Sequence, residues 1–197
     1  DVQLLMGIAS GVDLTYYNFD FSANSILLYL SAVSSDPSPP WVHSISWGPP
    51  ERHLSPDEAN RMNEEFAKNS ARGVTFVTSS GDDGVNNRAA RTNPNACGLD
   101  PQYPAGSPFV LTVGGSFGPE YGQQQRTAQV NVAGMYCSIT SGGGFSKWYA
   151  RPSYQDAVVT SYLKNAPGLP PLSSFNASNR AYPDISLQAN FIAFVAN

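Results

Sequence analysis

The stretch Val74-Thr75-Phe76-Val77-Thr78-Ser79-Ser80-Gly81-Asp82-Asp83-Gly84 decides how this chain reads. Its first five residues form an apolar run, rich in β-branched and aromatic side chains, of strand type. The rest is a turn, since Gly and Asp suit turn dihedrals. A strand that ends this way puts a carboxyl group at the carboxyl edge of a sheet, where open α/β sheets bind ligands. If it stays protonated there, Asp82 can donate a hydrogen bond to a developing oxyanion. The plainer reading of Asp82 is a turn former, and these residues alone leave both open.

Upstream lies the clearest helix start in the chain. Ser55 is an N-cap, Pro56 sits at the first helical position and Glu58 completes a capping box. The helix is expected to run to Ala71, with Gly73 as its stop. Before it, Val42-His43-Ser44-Ile45-Ser46-Trp47 reads as a strand ended by Gly48-Pro49-Pro50. Strand, helix, strand with short links implies a right-handed parallel crossover. The alternation begins earlier, with a strand expected at 12–17 and a buried helix at 25–33, after a short helical end at 1–8. Two crossovers in a row predict an α/β fold, a parallel sheet flanked by helices.

Downstream the texture changes. Residues 83–107 read as a long loop, 109–113 as a strand ended by Gly114-Gly115, and 116–140 as irregular. Ser141-Gly142-Gly143-Gly144-Phe145 is either an edge strand that another backbone approaches closely or a flexible loop. A helix is expected at 152–163, a loop at 167–171, and strands at 184–187 and 191–195.

With 41% hydrophobic residues the 197-residue chain can bury one core. Eleven basic residues against fifteen acidic ones give a net charge of −4, and no Lys/Arg run stands out, which argues against nucleic acid and anionic membranes as partners. The longest apolar stretch, near 26–33, is too short to span a bilayer. No signal peptide opens the chain, so a secreted protein would have lost it. Cys97 and Cys137 are the only cysteines, and neither has a His at metal-ligand spacing. A disulfide between them is expected, worth about 4 kcal/mol by the chain-entropy model. Asn176-Ala177-Ser178 is a glycosylation sequon. Few charges, a disulfide and a sequon together point to the secretory pathway.

Several chemistries are excluded by pattern. His43 lies within a strand and His53 in a polar loop, with no Gly-x-Ser-x-Gly elbow for a Ser-His-Asp site. Asp82-Asp83 lacks the alternating acids of an EF-hand. No Gly-x-Gly-x-x-Gly opens a helix after a strand, as a dinucleotide site would need. Ser79, Ser80, Ser141 and Ser146 show no base at a readable spacing. What remains is a set of three segments: Ser46-Trp47-Gly48 after a strand, the Asp82 turn, and Ser141-Gly142-Gly143. Such edges suit an extended peptide added as a strand, with Trp47 as a flat wall. Trp47 packed in the core is the alternative.

These segments resemble the sedolisins, the serine-carboxyl peptidases, and among them the tripeptidyl-peptidase-like members. The resemblance rests on Val42-His43-Ser44-Ile45-Ser46-Trp47-Gly48 with Glu51, on Gly73-Val74-Thr75-Phe76-Val77 leading into Ser80-Gly81-Asp82, and on Tyr103-Pro104-Ala105-Gly106-Ser107-Pro108 through Thr112-Val113-Gly114-Gly115-Ser116. Ser141-Gly142-Gly143-Gly144-Phe145-Ser146, Arg151-Pro152-Ser153-Tyr154-Gln155 and Arg180-Ala181-Tyr182-Pro183-Asp184-Ile185 extend it, in the family's order, over nearly the whole chain. It implies a subtilisin-like fold, incomplete at both ends, with residues 1–197 as the central portion of one peptidase catalytic domain. It implies an acid-acting tripeptidyl-peptidase or endopeptidase with a peptide or protein substrate, Asp82 in the oxyanion role and Asp1 as the carboxylate that orients a Glu base. That Glu, the Ser nucleophile and the family's calcium site are expected outside the chain, and no metal site within it. Ser46, Trp47 and Gly48 would line one side of the cleft, and Ser141, Gly142 and Gly143 the other. A pro-segment or flanking segments of the same protein are the expected further partners. The expected location is secreted, with lysosomal or vacuolar as the alternative. The competing functional reading is a non-catalytic fragment or degenerate relative that binds peptide or glycan.

Overall fold

The computed structural model describes residues 2–20, 22 and 24–189. A short helix α1 (Val2–Ile8) buries none of its residues. Helix α2 (Ser25–Ser35) turns Ile26, Leu30 and Val33 inward at helical spacing. Strand β1 (Val42–Ile45) leads through a 3₁₀ turn (Glu51–His53) to helix α3 (Pro56–Ala71), which returns to strand β2 (Thr75–Ser79). The start of α3 is as its sequence predicts. The Ser55 side chain accepts from the Glu58 N–H and the Glu58 carboxylate accepts from the Ser55 N–H, so two orphan donors are satisfied reciprocally.

β1 and β2 pair in parallel, Val42 opposite Thr75 through Ile45 opposite Thr78. β2 pairs in parallel with β3 (Leu111–Phe117), and β3 pairs in parallel with β9 (Ile185–Gln188) and antiparallel with β4 (Arg126–Thr127). Two further hairpin-like pairs join β5 (Gln129–Val130) to β6 (Ile139–Thr140), and β7 (Gly144–Ala150) to β8 (Asn179–Tyr182). Helix α4 (Asp156–Asn165) lies between the last two. Leu30, Val33, Ala59, Met62, Phe66 and Phe76 form the centre of the core, between α2, α3 and the sheet. Phe66 and Phe76 meet edge to face, 4.9 Å between centroids.

Several expectations change. Residues 116–140, expected to be irregular, hold the short strands β4, β5 and β6. Residues 12–17 form no strand, so the first crossover is absent among the described residues. Val12, Leu14 and Tyr16 are exposed there, and the segment's inward anchor is Tyr17, whose ring packs edge to face on Tyr29. β3 begins two residues later than 109 and runs through Gly114-Gly115 instead of ending there, because β9 pairs along exactly those residues, Gly114 with Ser186 and Gly115 with Leu187. The helix expected at 152–163 opens as a 3₁₀ turn (Ser153–Gln155) before α4. The strand expected at 191–195 lies outside the described residues.

Candidate active site

Because β1 and β2 run parallel in register, Ser46-Trp47-Gly48 and Ser80-Gly81-Asp82 leave the sheet at the same carboxyl edge. The Ser80 N–H donates to Val113 O at 3.1 Å, carrying the ladder one residue past β2 into the turn. Asp82 follows with its side chain 72% exposed. The neighbouring acid is held differently. Asp83 accepts two hydrogen bonds from Arg91, at 2.5 Å from Nε and 3.0 Å from Nη2, and the same guanidinium lies 3.7 Å from Asp82 Oδ2. The Asp83 hydrogen bond is the first cause that raises the Arg91 pKa, so Arg91 is a fixed cation beside the turn.

The glycine run is laced along this turn chiefly through the backbone. Thr140 N–H donates to Asp82 O at 2.8 Å, Gly84 N–H to Thr140 O at 3.2 Å, Gly142 N–H to Gly81 O at 2.8 Å and Gly143 N–H to Gly84 O at 3.1 Å. So close an approach requires glycine at 142, where a Cβ would overlap Ser80 O. The structure thus brings together two of the three predicted segments, the Asp82 turn and Ser141-Gly142-Gly143. The Ser141 hydroxyl is turned to structure: it accepts from the Gly115 N–H at 2.8 Å and lies 3.3 Å from Ser80 Oγ. Trp47 is 39% exposed and stands outside the core cluster, so the core-packing alternative fails and the ring is left at the edge. Gly48 is pressed against Tyr103 O, which a Cβ would overlap.

The sequence reading assigned no site role to Glu51. It is completely buried, with Oε1 accepting from Ser146 Oγ at 2.7 Å and Oε2 from the Lys147 N–H at 2.6 Å. Burial pushes its pKa up to about 7, against the opposing pull of those two hydrogen bonds. The sequence signal was its place in the Ser46-to-Glu51 motif; its burial depends on a strand 95 positions away. Ser146 therefore does have a carboxylate in reach, contrary to the expectation from spacing. It is no nucleophile, since it is 1% exposed and its Oγ also accepts from the Trp148 and Tyr149 N–H groups.

Of the remaining predictions, Asp1 lies outside the described residues. His43 is buried, its Nδ1 2.6 Å from Tyr29 OH and its Nε2 2.9 Å from Pro40 O, and burial lowers its pKa; it serves the aromatic core. The expected Cys97–Cys137 disulfide is not formed: both are free thiols. Their sulfurs are turned to different partners, Cys97 Sγ to Asn86 Nδ2 at 3.5 Å and Cys137 Sγ to Ala90 O at 2.9 Å. Asn176 is exposed in the turn before β8. Among the described residues no group of three or more His, Cys, Asp and Glu is placed to hold a metal ion.

Residues 2–193 match the model of the subtilase family. The chain belongs to the subtilase family. Within this family it is similar to tripeptidyl-peptidase 1 of Bos taurus, 36% identical over 201 residues, and of Homo sapiens, 35% identical over 200 residues. Each match takes in 100% of this chain and 34% of the relative, so this subtilase chain spans about a third of the length of the curated relatives it matches. Among solved structures it resembles a Pseudomonas sedolisin, a serine-carboxyl proteinase complexed with two molecules of pseudo-iodotyrostatin. The TM-score is 0.58 at 27% identity, covering 85% of this chain and 43% of that one. The parallel sheet flanked by helices is the subtilisin-like fold read from the sequence.

Proposed function

We propose that this subtilase chain carries the oxyanion side of an acid-acting serine-carboxyl peptidase, with the Glu base and Ser nucleophile supplied by residues outside these 197. The observation that supports this reading most is the exposed Asp82 carboxyl on a turn at the carboxyl edge of the parallel sheet, with the glycine run laced beside it. A protonated Asp82 donates its O–H to the oxygen that gains charge when a peptide carbonyl is attacked; an ionised one has nothing to donate, so activity belongs to acid pH. The N–H groups of Ser141, Gly142 and Gly143 are spent on Ala128, Gly81 and Gly84, so a substrate strand would pair with the carbonyls of this segment. Trp47 supplies an apolar wall across the edge. The substrate is an extended peptide, cleaved internally or released as tripeptides. Asp1 would orient the Glu base. The exposed Asn176 sequon would carry a glycan in a secreted or lysosomal protein. The calcium expected outside residues 1–197 takes part in none of these steps, and a pro-segment would occupy the cleft before activation.

The test is made on the intact protein. Asp82→Ala should lower kcat about 10²–10³-fold, with the unfolding midpoint unchanged. Asp82→Asn keeps an N–H donor at every pH, so its activity should persist to higher pH than that of the unsubstituted protein. Absence of any peptide hydrolysis at acid pH, or an Asp82→Ala variant as active as the original, refutes the reading.

A further inference from the structure

We propose that Glu51 is a positioning residue, one that fastens the Ser46-Trp47-Gly48 wall of the cleft to the strand that continues the opposite, glycine-run wall; the assignment rests on the peptidase reading for what the cleft holds. Three residues after Gly48, the chain enters a 3₁₀ turn at Glu51, and its carboxyl group reaches β7 just past the glycine run. There it accepts from Ser146 Oγ and from the Lys147 N–H. The Trp148 indole N–H, also from β7, donates to Glu51 O at 3.3 Å, while the Glu51 N–H donates to Pro101 O of a third segment at 2.7 Å. The Tyr103 N–H donates to Pro49 O at 2.9 Å, with Gly48 lying against Tyr103 O.

The alternative is an ordinary buried polar group that serves the core as a whole. Its placement argues otherwise. β7 leads straight back, through Gly144, to residues 141–143 on the Asp82 turn, while Glu51 leads straight back, through Pro50 and Pro49, to Trp47. The Glu51 carboxyl group is therefore one of the ties that set how far apart the two walls stand. Burial raises the free energy of any unpaired group left behind if it is removed.

The experiment compares Glu51→Ala, Glu51→Gln and Ser146→Ala in the intact protein, assayed on a peptide. Glu51→Ala strips the Lys147 amide and the Ser146 hydroxyl of their acceptor. KM should rise about tenfold, the scale of leaving a buried donor without its acceptor, with kcat falling less. Glu51→Gln keeps the volume and an acceptor and should restore KM to within about twofold. Ser146→Ala removes one donor to Glu51, together with the acceptor of the Trp148 and Tyr149 N–H groups, and should raise KM about threefold. A folded Glu51→Ala variant with unchanged KM overturns the proposal; where that variant does not fold, an unchanged KM in Ser146→Ala does so. If the unsubstituted protein cleaves no peptide, the peptidase reading fails, and the fastening is read separately by hydrogen exchange. Faster exchange at the Lys147 amide in Ser146→Ala, with the β2 amides still protected, supports it. Unchanged exchange at Lys147, or a loss of protection spread evenly over the chain, overturns it.

Discussion

The crossover from Val42 to Ser79 and the stretch from Ser80 to Gln188 hold together by different means. In the first, a regular strand, helix and strand close on apolar volume: Phe66, Phe76 and Met62 are buried with Leu30 and Val33 beneath them. In the second, buried polar side chains do much of the joining. Arg180, with no exposed surface, donates to Asp184 Oδ2 at 2.6 Å and to Val110 O at 3.4 Å, and Asp184 Oδ2 also accepts from the Thr112 N–H at 2.8 Å. Glu51 plays the same part at the border. A region built on volume tolerates any side chain of the right size, whereas one built on pairs tolerates only the right partner. The candidate site sits where the two regions meet.

That contrast can be broken by substitution in the intact protein, followed by denaturant unfolding. Phe66→Ala should cost about 3–5 kcal/mol, and Phe66→Leu much less, because the core responds to volume. Asp184→Ala should cost about 3 kcal/mol by leaving the Arg180 guanidinium buried without its carboxylate, and no apolar residue of similar size should restore it. If Asp184→Leu recovers the loss, the second region is held by packing after all.

Glu51 sharpens the comparison through pH. Burial raises its pKa from 4.5 to about 7, with Lys147 and the Ser146 and Lys147 hydrogen bonds pulling the other way and Tyr103, Tyr149 and Tyr182 packed near it. Between those pH values the folded state keeps a proton that the unfolded chain has released. The resulting stabilisation is fully present below pH 4.5 and is lost as pH rises through about 7. Glu51→Gln cannot titrate, so the fall in stability over that window should shrink by up to about 3 kcal/mol. His43, in the apolar region, has the opposite sign. Its pKa is lowered by burial, so its contribution is present above its unfolded value of 6.5 and is lost as pH falls through the folded one. His43→Phe should therefore gain most on the acid side. The smallest effect is Ser55→Ala, which removes the α3 cap for about 1 kcal/mol.

Legibility in the sequence followed the same border. The capping box, α3, β2 and the Asp82 turn are each encoded within a few consecutive residues, where spacing, caps and turn chemistry act directly. The segment at 12–17 misled because three alternating residues carry strand propensity but no partner, and pairing is supplied from elsewhere in the fold. β3 ran past its glycines for the converse reason: β9 came to meet it. Glu51, between Pro50 and Arg52, looks like an exposed loop acid; its burial is made by Ser146 and Lys147.

Composition, the crossover from β1 through α3 to β2 and the Asp82 turn were carried by the amino-acid sequence, since propensity, capping and net charge are properties of short segments or of simple sums. The lacing of Thr140, Gly142 and Gly143 onto that turn, the free state of Cys97 and Cys137, and the buried pairings of Glu51 and Arg180 were decided only in the tertiary structure. Each depends on groups far apart along the chain, and the free energy of burying a polar group is set by whichever partner the fold brings to it.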